Sequence, residues 1–299
     1  MGPRVDPAAT ASIDPEPKTH RRWEGSGWQL MLWLGLLVAF SPVWPDLLEL
    51  LIEQPWSRVA LVFPWLAWMA SREDSGRSAP TAWGRGLLVF GLAFELLAIG
   101  ADVVRVARLG LGVAAVGLCL AGGWTSVRVA LLLLWAVPMP ASLLNQLGPM
   151  LARLHASVAD WTLSTAGLAV DRLGTGGLRS GGEELVLGAA DGGLQSMVAF
   201  AGFGWFWATR RGAPMTGLLR GAGGWALSAL PLQMIVVTTA GAAFAAGASA
   251  DRVRAALDLF SWLGVMAIGL APFLWQSAAN APVPSCSPAS PLDRGRDRR

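Results

Sequence analysis

Residues 188–197 read GAADGGLQSM, a glycine-rich turn that runs straight into an apolar helix. A turn of this kind can present a reactive group at a helix N-terminus, where free N–H groups and the helix dipole favour negative charge. The stretch holds Asp191 and Ser196 but neither Cys nor His. Asp191 fits a helix N-cap or a carboxylate at the site itself. Ser196 falls one turn into the helix, where a hydroxyl bonds backbone more readily than it reacts. The other groups able to do chemistry are scattered. Glu95 lies within GLLVFGLAFELLAIG, and a carboxylate inside an apolar span is a functional candidate by default. Asp258 follows Arg254 by one helical turn, the spacing of an i,i+4 ion pair. A paired-carboxylate peptidase built from Asp191 and Asp258 is conceivable, since two carboxylates can split acid and base roles, although the surrounding AADGG and ALDLF lend it no support. The histidines, His20 and His155, have no metal-ligand spacing, so no metal or other cofactor is expected. Cys119 falls mid-span and Cys286 near the C-terminus, which forms no disulfide framework.

The elements that would hold these groups are set by composition. The chain has 299 residues, 54% hydrophobic and 14% charged. Soluble domains are about 25% charged. Several apolar runs approach the ~20 residues needed to cross a bilayer. They are continuous rather than alternating, which selects helices over a barrel. The expectation is an all-α integral membrane protein, a bundle of about eight spans at roughly 28–45, 56–71, 85–101, 107–123, 127–145, 192–209, 222–248 and 255–276. Many of the 16 Trp fall near span ends, where indole anchors at the headgroups. Residues 1–27 and 277–299 read as Pro- and charge-rich disordered tails around a single membrane domain, 28–276. The larger share of the 23 Lys and Arg falls on one side, which predicts N-in and C-in, with Arg105 and Arg108 on the wrong side. The positive net charge reflects boundary arginines rather than nucleic-acid binding.

The one long connection, 146–191, is expected on the extracytoplasmic face. PMLARLHASVADWTLSTAGL has the spacing of an amphipathic helix, with His155 on it. AVDRLGTGGLRSGGEELVLG alternates between glycine turns and predicts a β-hairpin. A folded loop of this length is usually functional.

From Pro138 to about Trp275 the chain resembles the exosortase/archaeosortase family, multi-pass transpeptidases that sort proteins bearing C-terminal membrane signals. The resemblance rests on Pro138 and Pro140 ending a span, the amphipathic helix, a segment with Gly167, Val170, Arg172 and Gly174, a strand, and the turn from Ala190 through Asp191, Gly192, Gly193, Leu194, Gln195 and Ser196 to Met197. The family's turn is similar to A-C-S-G-[IL]-[RN]-S-L, which puts its cysteine on Asp191, or on Ala190 with a one-residue slip. The family's Asn and Arg fall near Val237 and Ala240, and its His on Leu257 or Asp258. The resemblance therefore implies a protein-sorting fold whose Cys/Arg/His set is missing. An Asp there is a weak nucleophile toward an amide, and no cation remains in the last two spans to activate a thiol.

The leading expectation is a catalytically degenerate member of the bacterial inner membrane. It would bind a client's C-terminal signal helix or assist surface export. Its pseudo-site positions are Asp191, Gly193, Ser196, Ala240 and Asp258, and its substrate-binding candidates are Arg172, Glu95 and His155. Two other classes stay open: a transporter or channel subunit for a small or lipid-linked solute, with Glu95 on the pathway, and a divergent active peptidase.

Overall fold

The computed structural model describes residues 26–53, 55–74, 81–101, 103–139, 141–174, 176–188 and 190–279. Most of the two expected tails lies outside these residues. The chain is mostly helical, with one small sheet. Helix α1 (Ser26–Ala39) turns through a 3-10 segment containing Pro42 into α2 (Trp44–Glu53), and the axes of this pair differ by 54°. Proline at the break removes a helical N–H, which explains why the first expected span is bent. Helix α3 (Val62–Glu73) follows a 3-10 segment, and α4 (Ala82–Gly100) begins at Thr81, whose hydroxyl accepts the Gly84 N–H at 3.1 Å.

Helices α4 and α5 (Val104–Ala121) pack face to face through glycine. A Cβ at Gly117 would lie 2.3 Å from the Leu88 nitrogen, and one at Gly91 would lie 2.6 Å from the Ala114 nitrogen. Small residues let helix backbones approach this closely in a membrane. Buried Arg108 of α5, on the unexpected side by charge, forms an ion pair with half-buried Asp46 of α2. A neutralised arginine of this kind does not weigh against the orientation as a free one would.

The fifth expected span, 127–145, is shorter in the structure. Helix α6 (Val127–Ala130) runs into a 3-10 segment that stops at Ala136, and Val137 is extended. Pro138 and Pro140 bias the residues before them away from helix, so the chain breaks there. Helix α7 (Ala141–Thr165) then takes up residues 141–145 and the expected amphipathic segment as one element. Ala152, His155, Ala156, Ala159 and Leu163 form its buried stripe, while Met150, Leu154 and Trp161 are exposed.

The expected hairpin is a three-stranded antiparallel meander, β1 (Asp171–Leu173), β2 (Gly177–Ser180) and β3 (Glu183–Val186). Two glycine turns joined three strands, and the short polar β1 carried too little alternation to be read. Leu178 faces Leu185 across β2 and β3, and both are buried against α7 and α9. Gly181 and Gly182 turn the strands with φ of +60° and +86°.

Helix α8 (Leu194–Arg210) is the centre of the bundle, buried continuously from Ala199 to Trp207. Phe63 of α3 lies over Gly202, and Phe203 lies against Gly269. Helix α9 (Met215–Ala245) crosses α8 where Gly204 meets Gly221, and α10 (Ala250–Ala279) packs on both.

Among the described residues, α4, α9 and residues 250–273 of α10 are long and apolar enough to cross a membrane. The bent α1–α2 pair makes a fourth if it is one span. The structure thus carries three or four spans by length and composition, short of the eight expected from hydropathy. The remaining apolar helices are interrupted by 3-10 segments or fall just short.

Gly117→Val would force a branched side chain into the Leu88 backbone. We expect a cost of about 1–3 kcal/mol or more, read as a lower melting temperature in detergent. An unchanged melting temperature would contradict the α4–α5 packing.

Candidate functional site

The turn before α8 is pinned from two sides by backbone contact. A 3-10 turn spans Ala190–Gly192, and it packs on α7 and α8. A Cβ at Gly192 would lie 2.2 Å from the Gly148 carbonyl oxygen of α7. Gly193 adopts φ +72°, and a Cβ there would meet the Gln233 side chain of α9 at 2.9 Å. Both positions require glycine, the first for space and the second for its backbone as well.

Gly193, not Asp191, is the N-cap residue of α8. Asp191 sits two residues earlier and closes the turn backwards: its Oδ2 accepts the Gly188 N–H at 2.6 Å. The left-handed glycine moves the helix start past the carboxylate, so Asp191 keeps a side-chain bond but caps another segment. Gln233 donates from Nε2 to the Asp191 carbonyl oxygen at 3.1 Å and ties the turn to α9. Gln233 is 2% exposed.

The three segments that the resemblance aligned with catalytic positions do come together. Val237 of α9 and Leu257 of α10 are buried in one cluster with α7, the sheet and Leu187, and Ala240 packs against it. Asp258 is half-buried beside Leu257, and its charge acts on Asp191. Arg254, one turn earlier, is exposed, donates to the Val186 carbonyl of β3, and also acts on Asp191. Among the described residues no thiol joins them: Cys119 of α5 is buried in a different cluster, with Trp33 and Trp124 packed on it. Cys286 lies outside the described residues.

Burial holds the Asp191 carboxyl above its ordinary range. The Gly188 N–H opposes this, the Asp258 charge adds to it, and Arg254 opposes it. His155 is fully buried beside the turn. Neither ring nitrogen meets a partner of normal hydrogen-bond geometry among the described residues. Burial lowers the affinity of the ring for a proton, partly countered by the Asp191 main chain. The buried ring thus packs beside the turn.

The other candidates lie elsewhere. Ser196 is buried inside α8. Arg172 is exposed on β1 and donates to the Ser157 hydroxyl of α7 at 2.5 Å. Glu95 is 2% exposed on α4, where Oε1 has no partner among the described residues. Helix α4 packs on α5, whereas the turn packs on α7 and α8. Two glutamines escaped the sequence reading. Gln233 carried a signal, a polar residue in an apolar span just after Pro231. Gln195, one turn beyond Asp191, buries its Oε1 without a partner among the described residues and lines a small pocket with Ser57, Trp135 and Pro138.

A family model described as transmembrane exosortase (Exosortase_EpsH) matches residues 53–220, more than half of the chain. The match includes Asp191, Gly193, Gln195 and Ser196 and ends before Gln233, Ala240 and Asp258. No curated protein and no solved structure matches.

A carboxyl with a raised affinity for its proton contributes most below its ordinary value of 3.8, and that contribution fades as pH rises through the folded value. Asp191→Asn keeps an acceptor for Gly188 and carries no charge. We expect it to raise the melting temperature at neutral pH and to lose that advantage in acid. His155 shifts stability in the opposite sense, so the reading is the difference between variant and parent at each pH. An advantage that grows in acid would contradict a buried, disfavoured Asp191 charge.

Proposed function

Because this chain belongs to the transmembrane exosortase family, we propose that it is a degenerate sorting protein, one that holds a client's C-terminal signal helix without cutting the chain. It is an integral membrane protein in contact with lipid. One observation carries the reading. The turn that resembles the family's nucleophile segment holds a carboxylate, bonded to Gly188 and under the charges of Asp258 and Arg254, and among the described residues no thiol lies beside it. Amide transfer through a thiol needs a thiolate, a cation to stabilise it and a proton for the leaving amine. A buried Asp191 carboxyl, with one acid (Asp258) and one base (Arg254) acting on it, supplies a poor nucleophile toward an amide. The scaffold around it is nonetheless fully built, through Gly192, Gly193 and Gln233. Arg172, Glu95 and His155 enter this reading unequally. Arg172 is placed to meet a client at the surface, while His155 packs beside the turn.

We further read the chain as eight spans with both termini on the cytoplasmic side of a bacterial inner membrane. The 3-10 segment before α3 extends it to residues 55–73, and α5 and α8 have 18 and 17 residues. At 1.5 Å per residue these three approach the hydrocarbon thickness, with proline or glycine at their ends, and the short apolar segment 127–136 is counted as the eighth span. The α7–sheet insertion then lies on the extracytoplasmic face with Asp191.

A second reading has one feature in its favour, the reach of the Asp258 charge to Asp191. Two carboxylates at one site could divide acid and base roles in hydrolysis.

The test is photo-cross-linking in cells from a benzophenone residue at position 195. The degenerate reading predicts an adduct to a membrane protein that retains its C-terminal apolar segment by intact mass. It also predicts that Asp258→Asn leaves client processing unchanged. Accumulation of a cleaved client that disappears in both Asp191→Asn and Asp258→Asn would overturn the reading and establish the carboxylate pair.

A further inference from the structure

A large void lies away from the Asp191 turn, which contributes nothing to its walls. It is a crevice of about 1350 Å³ between α1, α3, α5 and the α6 segment. Its walls include Leu36, Ala67, Leu111, Ala115, Cys119 and Leu133. It runs along α5 from Arg108 to Gly122, which is about 21 Å at 1.5 Å per residue. One end is closed by the Arg108–Asp46 ion pair. The other opens among Gln29, Ser71, Arg72, Asp74 and Thr125. An apolar void of this size does not stay empty in a close-packed protein.

The occupant is indicated by charge and by the largely apolar walls, which suit hydrocarbon chains. At the open mouth, the exposed Arg72 guanidinium lies 3.8 Å over the Trp68 ring. Among the described residues Arg72 makes no ion pair, whereas Arg108 at the closed end is neutralised by Asp46. Asp74 shares the mouth, but its Oδ2 accepts the Ser126 N–H at 3.1 Å. Arginine held on an aromatic face suits a phosphate, and basic mouths between membrane helices take anionic headgroups.

We propose that this crevice is a binding site for one anionic phospholipid, its phosphate on Arg72 and its acyl chains along Ala67, Ala115 and Leu133. The site is independent of the sorting function. In the orientation proposed above, the mouth faces the cytoplasmic leaflet, so the lipid enters from that side and ties α1 to α3 and α5.

The experiment is native mass spectrometry of the full-length protein purified in mild detergent, then delipidated and supplied with phosphatidylglycerol or phosphatidylcholine. Wild type is expected to retain one phospholipid and to prefer phosphatidylglycerol. Arg72→Gln, a substitution of an exposed side chain, is expected to reduce that preference about tenfold, the worth of one charge-assisted contact. Ala115→Phe grows into the void and is expected to abolish retention. Equal retention of both lipids by wild type, or unchanged preference in Arg72→Gln, would overturn the proposal. So would a bound peptide in place of lipid.

Discussion

Everything near the candidate site depends on the contact of Gly192 with the Gly148 carbonyl, where a single added carbon would stand 2.2 Å from oxygen. That contact locks the start of α8 onto α7. The left-handed Gly193 then turns the chain against Gln233 of α9, and Gln233 completes the join by donating to the Asp191 carbonyl. Three helices meet at one turn because two residues there have no side chain. The position of Asp191, and the reach of the Asp258 charge to it, follow from this junction. A bulkier residue at Gly192 would push α7 away and open the cluster of Ala152, Ala156, Val237 and Leu257 beneath it.

The same economy of small residues builds the rest of the bundle. Glycine lets α4 lie on α5 and lets α8 cross α9, and in both places backbone meets backbone. Lipid offers no hydrophobic push between helices, so close packing does the work of cohesion. The exception is the face shared by α1, α3 and α5, where helices stand apart around the large crevice. One half of the molecule is thus tight and carries the turn, and the other is open to a ligand.

Much of this was legible from residue types. The long α4, α9 and α10 followed from apolar length, the α7 stripe from its helical spacing, and the meeting of the 191, 237–240 and 257–258 segments from the resemblance carried by the turn. The failures have local causes. Two consecutive X-Pro signals at 138 and 140 ended the α6 segment early, while α7 ran through Pro149 without stopping. The three-residue β1 was too short to show alternation. Asp191 was read as the α8 cap because Asp favours that position, but the left-handed Gly193 took it. Gln233 stood out only as a polar residue in an apolar span, since no spacing in the sequence reveals its main-chain partner, and nothing in the sequence marks the Gln195 Oε1 as buried without a partner among the described residues. The crevice is a property of how helices stand relative to one another, and composition carries no trace of it.

The account rests on Asp258 of α10 lying within electrostatic reach of Asp191 before the start of α8. In a background with Cys119 and Cys286 replaced by Ser, cysteines can be placed at 191 and 258 together and treated with a short bis-methanethiosulfonate, a reagent that reacts with thiols at both ends, in membranes. The account predicts an intramolecular link that joins the two positions, formed by the double variant and by neither single one. Two thiols that each react with a monofunctional reagent yet never link would contradict it, and the turn would then have to lie apart from α10.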